Sequence, residues 1–262
     1  MSSVPASRRR SGVQSVEVGA ALLRALADAD GARSPGALAR AAGMSTTKAH
    51  RYLVGYVAAG LVVQSERSGA YDLGPLAVRL GLAALERFDV VRVAGERLEA
   101  LRDEVGQTVM ISVWTDAGPT VARIELARHP VTMAVRVGLV YPILTSATGM
   151  VFLAYAPERV AARIGDELED SHEAHVAGAP ADRAAVERLA EAVRARRGAS
   201  VDQMFLVGVS AVAAPLFDGK GELAAVVTAI GRPGAFDLSE SGPPARALAA
   251  FAHSVAIGAA AD

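Results

Sequence analysis

The hydrophobic positions near the start of the chain recur at helical spacing. Val16, Leu22, Leu23 and Leu26 predict a first amphipathic helix, which ends near Gly31. A polar segment follows before the next apolar run. The chain therefore opens with a helix that needs partners to cover its apolar face.

Two further helices follow within a few residues of each other. Ser34-Pro35 is typical of an N-cap followed by a proline in the first helical turn, and Gly43 is suited to the turn that ends this short helix. Ser45 caps the next helix, which we expect to run to about Ala59. Two helices joined by a short glycine-containing turn predict a helix-turn-helix.

The second of these helices has two different faces. Helical spacing places one set of side chains inward: Ala49, Leu53, Tyr56 and Val57. It places another set outward: Thr47, His50, Arg51 and Val54. Residues 61–73 then predict two short strands around a tip at residues 65–69 that carries Arg67. A helix-turn-helix followed by a hairpin is a winged helix-turn-helix.

The outward face has the chemistry of a DNA-contacting surface. Hydroxyls and cations near a helix N-terminus suit phosphate contacts and the donors and acceptors of the major groove. The predicted DNA-binding residues are Ser45, Thr46, Thr47, Lys48, His50, Arg51 and Arg67. Ser45 and Lys48 also have the Ser-x-x-Lys spacing of some acyl-transfer enzymes, but the only other lysine, Lys220, lies in a turn rather than a Lys-Thr-Gly strand. A solvated face on a small helical domain is the other alternative.

Charge and composition support two domains with different partners. The 262 residues are 52% hydrophobic and 21% charged, as in soluble globular proteins. Residues 1–74 carry nine basic and five acidic side chains, and the rest carries 18 and 23, so only the first segment suits a polyanion. There is no cysteine, which excludes disulfides and thiolate metal sites and fits a cytoplasmic protein.

Two segments bear on targeting. Residues 1–12 are basic but lack the apolar run of a secretory signal, so we expect a disordered arm. Residues 137–157 lack charged side chains and are long enough to span a bilayer, but Pro142, Thr145, Ser146, Thr148 and Gly149 interrupt them. We therefore expect a strand, a polar loop and a buried helix, and no membrane partner.

The rest of the chain alternates helices with hairpins. Residues 75–89 predict an amphipathic linker helix suited to packing against a partner helix, and residues 91–106 predict another helix. Strands are expected at residues 108–114 and 120–127, then at 131–137. A charged helix over residues 181–198, a hairpin over 210–230 and an alanine-rich helix complete an α+β pattern.

These segments together resemble the IclR family of bacterial transcriptional regulators. The resemblance is carried by KAHRYL, by the Gly-x-Tyr-x-Leu-Gly pattern at residues 69–74 and by GVSAVAAPLFD, and it runs from about Val13 to the C-terminus. It implies a winged helix-turn-helix over residues 13–74, a linker helix over 75–89 and a GAF-like α/β effector-binding domain over 90–262. It also implies operator binding as a dimer or a dimer of dimers, and no cofactor.

The effector pocket is expected at the uncharged stretch LTSATGM, where hydroxyls meet the start of a helix near Gly149. The alternative is that these residues only cap that helix. Thr145 and Ser146 belong to the predicted set through their hydroxyls. It is completed by residues that match ligand-contacting positions of relatives sensing small 2-oxo acids: Ala147, Thr148, Asp202 or its neighbour Val201, Ala211 and Thr228. Ala211 stands where such a relative has a thiol, and Ile230 where it has a hydroxyl. The pocket is thus predicted to be less polar and to take a carboxylated, partly apolar or aromatic metabolite. Arg123 and Arg136, on predicted strands, are candidate anchors of its carboxylate. The alternative is that both are solvated, as exposed arginines on a sheet commonly are.

Other motifs are weaker. His172-Glu173-x-His175 is one residue short of a zincin motif, and a solvated turn is the expected structure there. Gly208-Val209-Ser210 lacks the second glycine of a nucleophile elbow, because Val212 stands in its place. The prediction is a ligand-responsive DNA-binding regulator with no catalytic and no metal residues. The alternative is a metabolite-binding interaction module with a non-functional helix-turn-helix.

Overall fold

A computed structural model gives the fold and describes residues 13–86, 89–128, 135–173, 176–234 and 237–259. Contacts divide the chain into two compact units, the first ending at Ala84 and the second beginning at Leu85. The elements of the first unit are α1 (Gln14–Ala27), α2 (Pro35–Ala41), α3 (Thr46–Ala58), β1 (Val62–Gln64), β2 (Tyr71–Leu73) and most of α4 (Pro75–Glu86), whose last two residues belong to the second unit.

Local sequence signals fix the ends of α2 and α3. The hydroxyls of Ser34 and Ser45 accept hydrogen bonds from the N–H groups of Ala37 and Lys48, at 3.3 and 3.4 Å, so both predicted N-caps are confirmed. Gly43 adopts a φ of 62°, the left-handed turn conformation expected of it. The two helices thus meet across a short turn, as a helix-turn-helix requires.

The core of the first unit is small and lies between α1, α2, α3 and the hairpin. Its fully covered side chains are Leu22, Leu26, Leu38, Ala39, Ala49, Leu53, Val62 and Tyr71. Val57, predicted to face inward, is 40% exposed. At 100° per residue Val57 lies about 80° around the helix from Ala49, at the edge of the buried stripe. Val16 is also exposed, in the first turn of α1.

The second unit contains the remaining helices and a five-stranded sheet. Its elements are α5 (Asp89–Val105), β3 (Thr108–Thr115), β4 (Gly118–Glu125), α6 (Ala147–Tyr155), α7 (Pro157–Val160), α8 (Ile164–Glu173), α9 (Arg183–Arg196), β5 (Ala199–Asp202), β6 (Ser210–Phe217), β7 (Leu223–Gly231) and α10 (Pro243–Ala259). The strand order is β4-β3-β7-β6-β5, and every neighbouring pair is antiparallel.

Helices cover both faces of this sheet. Strand residues alternate between the faces, so Ile111 packs in the core that includes α5 and α10, whereas its neighbour Met110 packs in the core that includes α6 and α9. The predicted α+β fold with an antiparallel sheet is confirmed. The core that includes α6 and α9 is the one that matters for ligand binding, because α6 packs there against the sheet.

Two predictions about the second unit need correction. A third strand was expected over residues 131–137. Residues 131–134 lie outside the described residues, and Val135 and Arg136 are not in a strand. The edge of β4 instead pairs with residues 138–141, through bonds such as that from the Tyr141 N–H to the Pro119 carbonyl at 2.8 Å. The second correction concerns His172 and Glu173, which end the helix α8 where a solvated turn over residues 172–175 was expected; Ile164 and Leu168 give α8 an apolar side. Residues 174 and 175 lie outside the described residues.

The uncharged stretch over residues 137–157 contains a loop and the nine-residue α6. Every residue from Ala147 to Ala154 is buried, since α6 lies between the sheet and α9. Burial on all sides by protein therefore explains why α6 is apolar around its whole circumference. Among the described residues, no helix is both long enough and apolar enough to cross a membrane.

Candidate DNA interface and effector cavity

The outer face of α3 is polar, cationic and open to solvent. Ala49 and Leu53 are fully buried, which orients the opposite side of the helix outward. The exposed side chains include all six predicted DNA contacts of this region: Ser45, Thr46, Thr47, Lys48, His50 and Arg51. The first turn of α3 contains no acidic residue, so nothing in it opposes the approach of a phosphate.

The start of α3 offers the N–H donors of its first turn together with two cationic side chains. The Ser45 hydroxyl accepts a hydrogen bond from the Lys48 N–H, so Ser45 acts as the N-cap of α3. This is the structural role that competes with the acyl-transfer hypothesis for the Ser45 and Lys48 pair. A helix N-terminus of this kind favours an anion at its end.

The hairpin forms a compact wing beside the helices. The Ser65 N–H donates to the Ala70 carbonyl at 2.8 Å, and Gly69 adopts a φ of 66°, which closes the tip. Arg67 is exposed on this tip. Arg33, between α1 and α2, forms two backbone hydrogen bonds of 2.8 Å with Tyr71, so the wing is tied to the helical part of the unit.

A cavity opens in the second unit between the sheet, the start of α6 and the loop from β5 to β6. The space inside it that the centre of a water molecule can reach is about 20 Å³, so its walls lie close together. The lining residues are Met110, Tyr141, Ser146, Ala147, Thr148, Val201, Phe205, Leu206, Val209, Ala211, Thr228 and Ile230. A mostly apolar wall with a few hydroxyls is typical of a small-molecule site.

The hydroxyls near α6 are held in place by short hydrogen bonds. Ser146 donates to the Pro142 carbonyl at 2.6 Å and accepts from the Gly149 N–H at 2.9 Å, so it caps α6. The hydroxyl oxygens of Thr148 and Thr228 lie 2.8 Å apart, and both residues are 1% exposed. This pair links α6 to β7 and retains one O–H donor and free lone pairs for a ligand.

The structure brings together five of the seven predicted effector residues: Ser146, Ala147, Thr148, Ala211 and Thr228. It places the other two elsewhere. Asp202 points away from the cavity and accepts a hydrogen bond from the Ser210 hydroxyl at 2.6 Å, while its neighbour Val201 takes the lining position. Thr145 lines an adjacent cleft with α8.

The two arginines considered as carboxylate anchors do not line the cavity. Arg123 pairs with Ile111 on the sheet face covered by α5, and its side chain lies against Gly95. Arg136 lies in the segment that leads to the edge of β4. The alternation of side chains along β4 explains the first result, because Ile124, not Arg123, points to the cavity side.

The loop before α6 is fixed by a partly buried carboxylate. Glu167 on α8 accepts hydrogen bonds from the N–H groups of Ile143, at 2.7 and 2.8 Å, and of Leu144, at 3.1 Å. Burial raises the pKa of the Glu167 carboxyl above its usual range, although the two N–H groups and Arg163 act against this. Glu167 thereby positions the segment that carries the hydroxyls of the cavity.

Two family models match this sequence. The IclR helix-turn-helix domain matches residues 15–66, and the C-terminal domain of the bacterial transcriptional regulator IclR matches residues 82–256. The chain belongs to the IclR family. It is therefore a transcriptional regulator with a helix-turn-helix DNA-binding domain and a C-terminal effector-binding domain, and the family and function predicted from the sequence are confirmed.

Several relatives of this IclR-family chain are similar over most of its length. The glycerol operon regulatory protein of Streptomyces coelicolor is 26% identical over 206 residues, 79% of this chain and 80% of that protein. The crystal structure of Pseudomonas aeruginosa HmgR is 39% identical with a TM-score of 0.73, covering 94% of this chain and 98% of its own. An IclR homologue of Microbacterium hydrocarbonoxydans, complexed with 4-hydroxybenzoate, has a TM-score of 0.78 at 18% identity, covering 95% and 100%, and shows likeness of fold alone.

Five residues that line the cavity of this IclR-family protein were not predicted from the sequence: Met110, Tyr141, Phe205, Leu206 and Val209. Phe205 and Leu206 belong to the apolar run MFLV in the loop after β5, and an apolar run in a loop is itself a signal. Tyr141 precedes Pro142 in the uncharged stretch already singled out. For the described residues there is also no cluster of His, Asp and Glu that could hold a metal ion.

Proposed function

We propose that this IclR-family regulator binds operator DNA through α3 and the wing, and that a carboxylated, partly apolar or aromatic metabolite in the cavity modulates this binding. The observation that carries the proposal is the cavity itself, where helix-end donors and paired hydroxyls meet an apolar and aromatic wall. We propose no catalytic role, no cofactor and no metal. The cytoplasm is the expected location, because chromosomal DNA is the proposed partner.

Operator contact divides between bases and phosphates. Thr47, His50 and Arg51 lie on the exposed face near the start of α3, the part of a recognition helix that reaches base edges. Ser45, Thr46 and Lys48 lie at the helix end, where phosphate contacts are favourable. Arg67 on the wing is positioned to meet a neighbouring phosphate, and the basic residues 8–10, outside the described residues, add sequence-independent affinity.

The effector's carboxylate is proposed to bind at the start of α6. The backbone N–H groups of Ala147 and Thr148 are the unpaired donors of that helix end, and the Thr148–Thr228 pair supplies a further O–H. None of the described residues that line the cavity is cationic, so these neutral donors would hold the anion. Phe205 and Ile230 suit the apolar part of the ligand.

An aromatic ring is the apolar group that fits this wall best. The rings of Tyr141 and Phe205 contact each other edge to face, with centroids 5.6 Å apart, at the mouth of the cavity. The related fold crystallised with 4-hydroxybenzoate makes hydroxylated benzoates the first acids to test. Binding of glyoxylate-sized acids alone would contradict the proposed class.

A homodimer, or a dimer of dimers, is the proposed assembly. Val78 and Leu82 on α4 are 57% and 58% exposed and share one face at a spacing of four residues. We propose that residues 75–89 form the linker between residues 13–74 and 90–262 and that a second copy covers this apolar face. Effector binding would then shift the spacing of two recognition helices and so the affinity for two half-sites.

Gel-shift titration of the purified chain on its own upstream DNA tests the DNA part of the proposal. The control is a scrambled fragment of equal length, and both are titrated at two salt concentrations. We expect a preference for the native fragment of about 10³-fold or more. Equal and strongly salt-dependent binding to both fragments would show that α3 binds DNA only as a basic surface, without sequence preference. Failure to bind either, with acids still stabilising the fold, would favour the alternative of a metabolite-binding interaction module.

A further inference from the structure

Among the described residues that line the cavity, one hydroxyl has a sulfur atom as its hydrogen-bond partner. Tyr141 is 6% exposed, and its hydroxyl points at the Met110 sulfur at 3.5 Å. A thioether is a weak acceptor, so this O–H is poorly satisfied for a buried group. The other three hydroxyl residues of the lining, Ser146, Thr148 and Thr228, all bond to oxygen atoms at 2.6 to 2.8 Å.

The position of Tyr141 is fixed from three sides. Its N–H donates to the Pro119 carbonyl at 2.8 Å, which ties its backbone to β4. Its ring lies against Phe205 with an angle of 66° between the ring planes. Met110, beside the hydroxyl, is the direct cross-strand partner of Thr228. The O–H is therefore held on the sheet side of the cavity, near the Thr148–Thr228 pair.

This donor stays available at any physiological pH. Burial raises the pKa of the Tyr141 phenol to about 12, so the group remains neutral and protonated. A neutral donor set in an apolar wall suits a neutral oxygen, because a carboxylate placed there would lose most of its hydration for a single hydrogen bond. The start of α6 offers several donors and is the better place for the charged group.

We infer that the Tyr141 hydroxyl donates a hydrogen bond to a second oxygen of the effector, a ring hydroxyl or carbonyl, and so selects oxygenated aromatic acids over unsubstituted ones. The inference rests on the proposed effector class. It adds a specificity-determining residue to the cavity and a second polar group to the ligand. When the ligand binds, its oxygen replaces the Met110 sulfur as the acceptor.

Isothermal titration calorimetry on the full chain tests this inference with four probes: benzoate, 4-hydroxybenzoate, phenylacetate and 4-hydroxyphenylacetate. The variant is Tyr141→Phe, which removes only the hydroxyl. Tyr155→Phe is the matched control, because Tyr155 packs on Phe217 in the same unit and does not line the cavity. We expect Tyr141→Phe to weaken binding of the better hydroxylated probe by about tenfold, the scale of one hydrogen bond. Binding of its unsubstituted counterpart should change less than about twofold, and Tyr155→Phe should leave both unchanged.

Each other outcome contradicts a different step. Equal weakening for a hydroxylated probe and its unsubstituted counterpart would place Tyr141 on the carboxylate and overturn the inference. Unchanged binding would remove Tyr141 from the contact, while the effector class would stand. If the unmodified chain binds none of the four, the effector class fails and the inference falls with it.

A second variant covers the case in which Tyr141→Phe does not fold. Met110→Leu keeps the volume of a fully buried side chain and removes the sulfur acceptor. Without the sulfur, the Tyr141 hydroxyl loses the acceptor that competes with the ligand oxygen. We expect the hydroxylated probe to gain affinity relative to its unsubstituted counterpart, because a change in the shape of the wall acts on both probes and only the hydroxylated one can use the freed O–H. Equal effects on both probes would overturn the inference.

Discussion

The pair of hydroxyls between α6 and β7 allows a quantitative test of the cavity. Thr148 and Thr228 are both 1% exposed, and their oxygens lie 2.8 Å apart. Thr→Val preserves the shape of the side chain and removes one hydroxyl. Each single variant therefore leaves the other hydroxyl buried without this partner, which costs about 1–3 kcal/mol. The double variant removes both hydroxyls and should cost less than the sum of the single variants.

We expect a coupling energy of about 1–3 kcal/mol between the two positions. The second substitution should lower the free energy of unfolding by less when the first is already present. Urea unfolding followed by fluorescence measures it. The single tryptophan, Trp114, is in the second unit and contacts Phe152 of α6, so its signal reports this unit and not the DNA-binding one. For a unit of this size, about 1 kcal/mol corresponds to a change of roughly 2–4 °C in Tm.

The matched control for this cycle is Thr145→Val. Thr145 is also buried, 5% exposed, and lines the neighbouring cleft instead of the cavity. Its substitution should cost less than either single variant of the pair, and should not couple to Thr148→Val. Additive costs for Thr148→Val and Thr228→Val would refute the reasoning, because they would show that the two hydroxyls do not depend on each other.

Two further predictions concern the DNA interface and the loop before α6. Arg51→Ala should cost about 1–3 kcal/mol of operator binding free energy and relax specificity at one base position. Arg67→Ala should weaken binding to all DNA sequences alike and lower the salt slope of the affinity by about 1. If an operator substitution series showed a uniform loss of affinity for Arg51→Ala, Arg51 would be a phosphate contact. Burial raises the pKa of Glu167 above its ordinary value near 4.5, so ionisation of this carboxyl should lower the free energy of unfolding as the pH rises from that value through the raised pKa. Glu167→Gln should abolish this part of the pH dependence in chemical denaturation, and an unchanged profile would contradict the assignment.

The DNA-binding unit was largely predictable because its signals are local. Ser34, Ser45 and Gly43 fix helix ends within a few residues, and the 3.6-residue period assigns Ala49 and Leu53 to the core. The exposure of Val57 shows the limit of this approach. A position at the edge of a helical stripe is decided by how far the neighbouring elements reach, and the period alone does not give this.

The cavity was predictable only in part, because its walls come from distant segments. The stretch LTSATGM indicated the helix end, and the structure places Ser146 and Thr148 in the lining. The side on which a strand residue points depends on register, so the choice between Asp202 and Val201 had to come from the structure. Tyr141 and Phe205 meet across 64 residues of sequence, and no local pattern indicates that contact.

In an effector-controlled regulator, occupation of the cavity in the second unit changes DNA binding by the first. The most direct measurement is the operator affinity with and without a saturating hydroxylated aromatic acid, for the unmodified chain and for Ala211→Phe. Ala211 lines the cavity, so a phenyl ring there fills the space, and Trp114 fluorescence checks that the unit still folds. We expect at least about a fivefold change in operator affinity for the unmodified chain, the lower end of allosteric coupling, and none for the variant. The same change in both proteins, or none in the unmodified chain with the acid demonstrably bound, would contradict it.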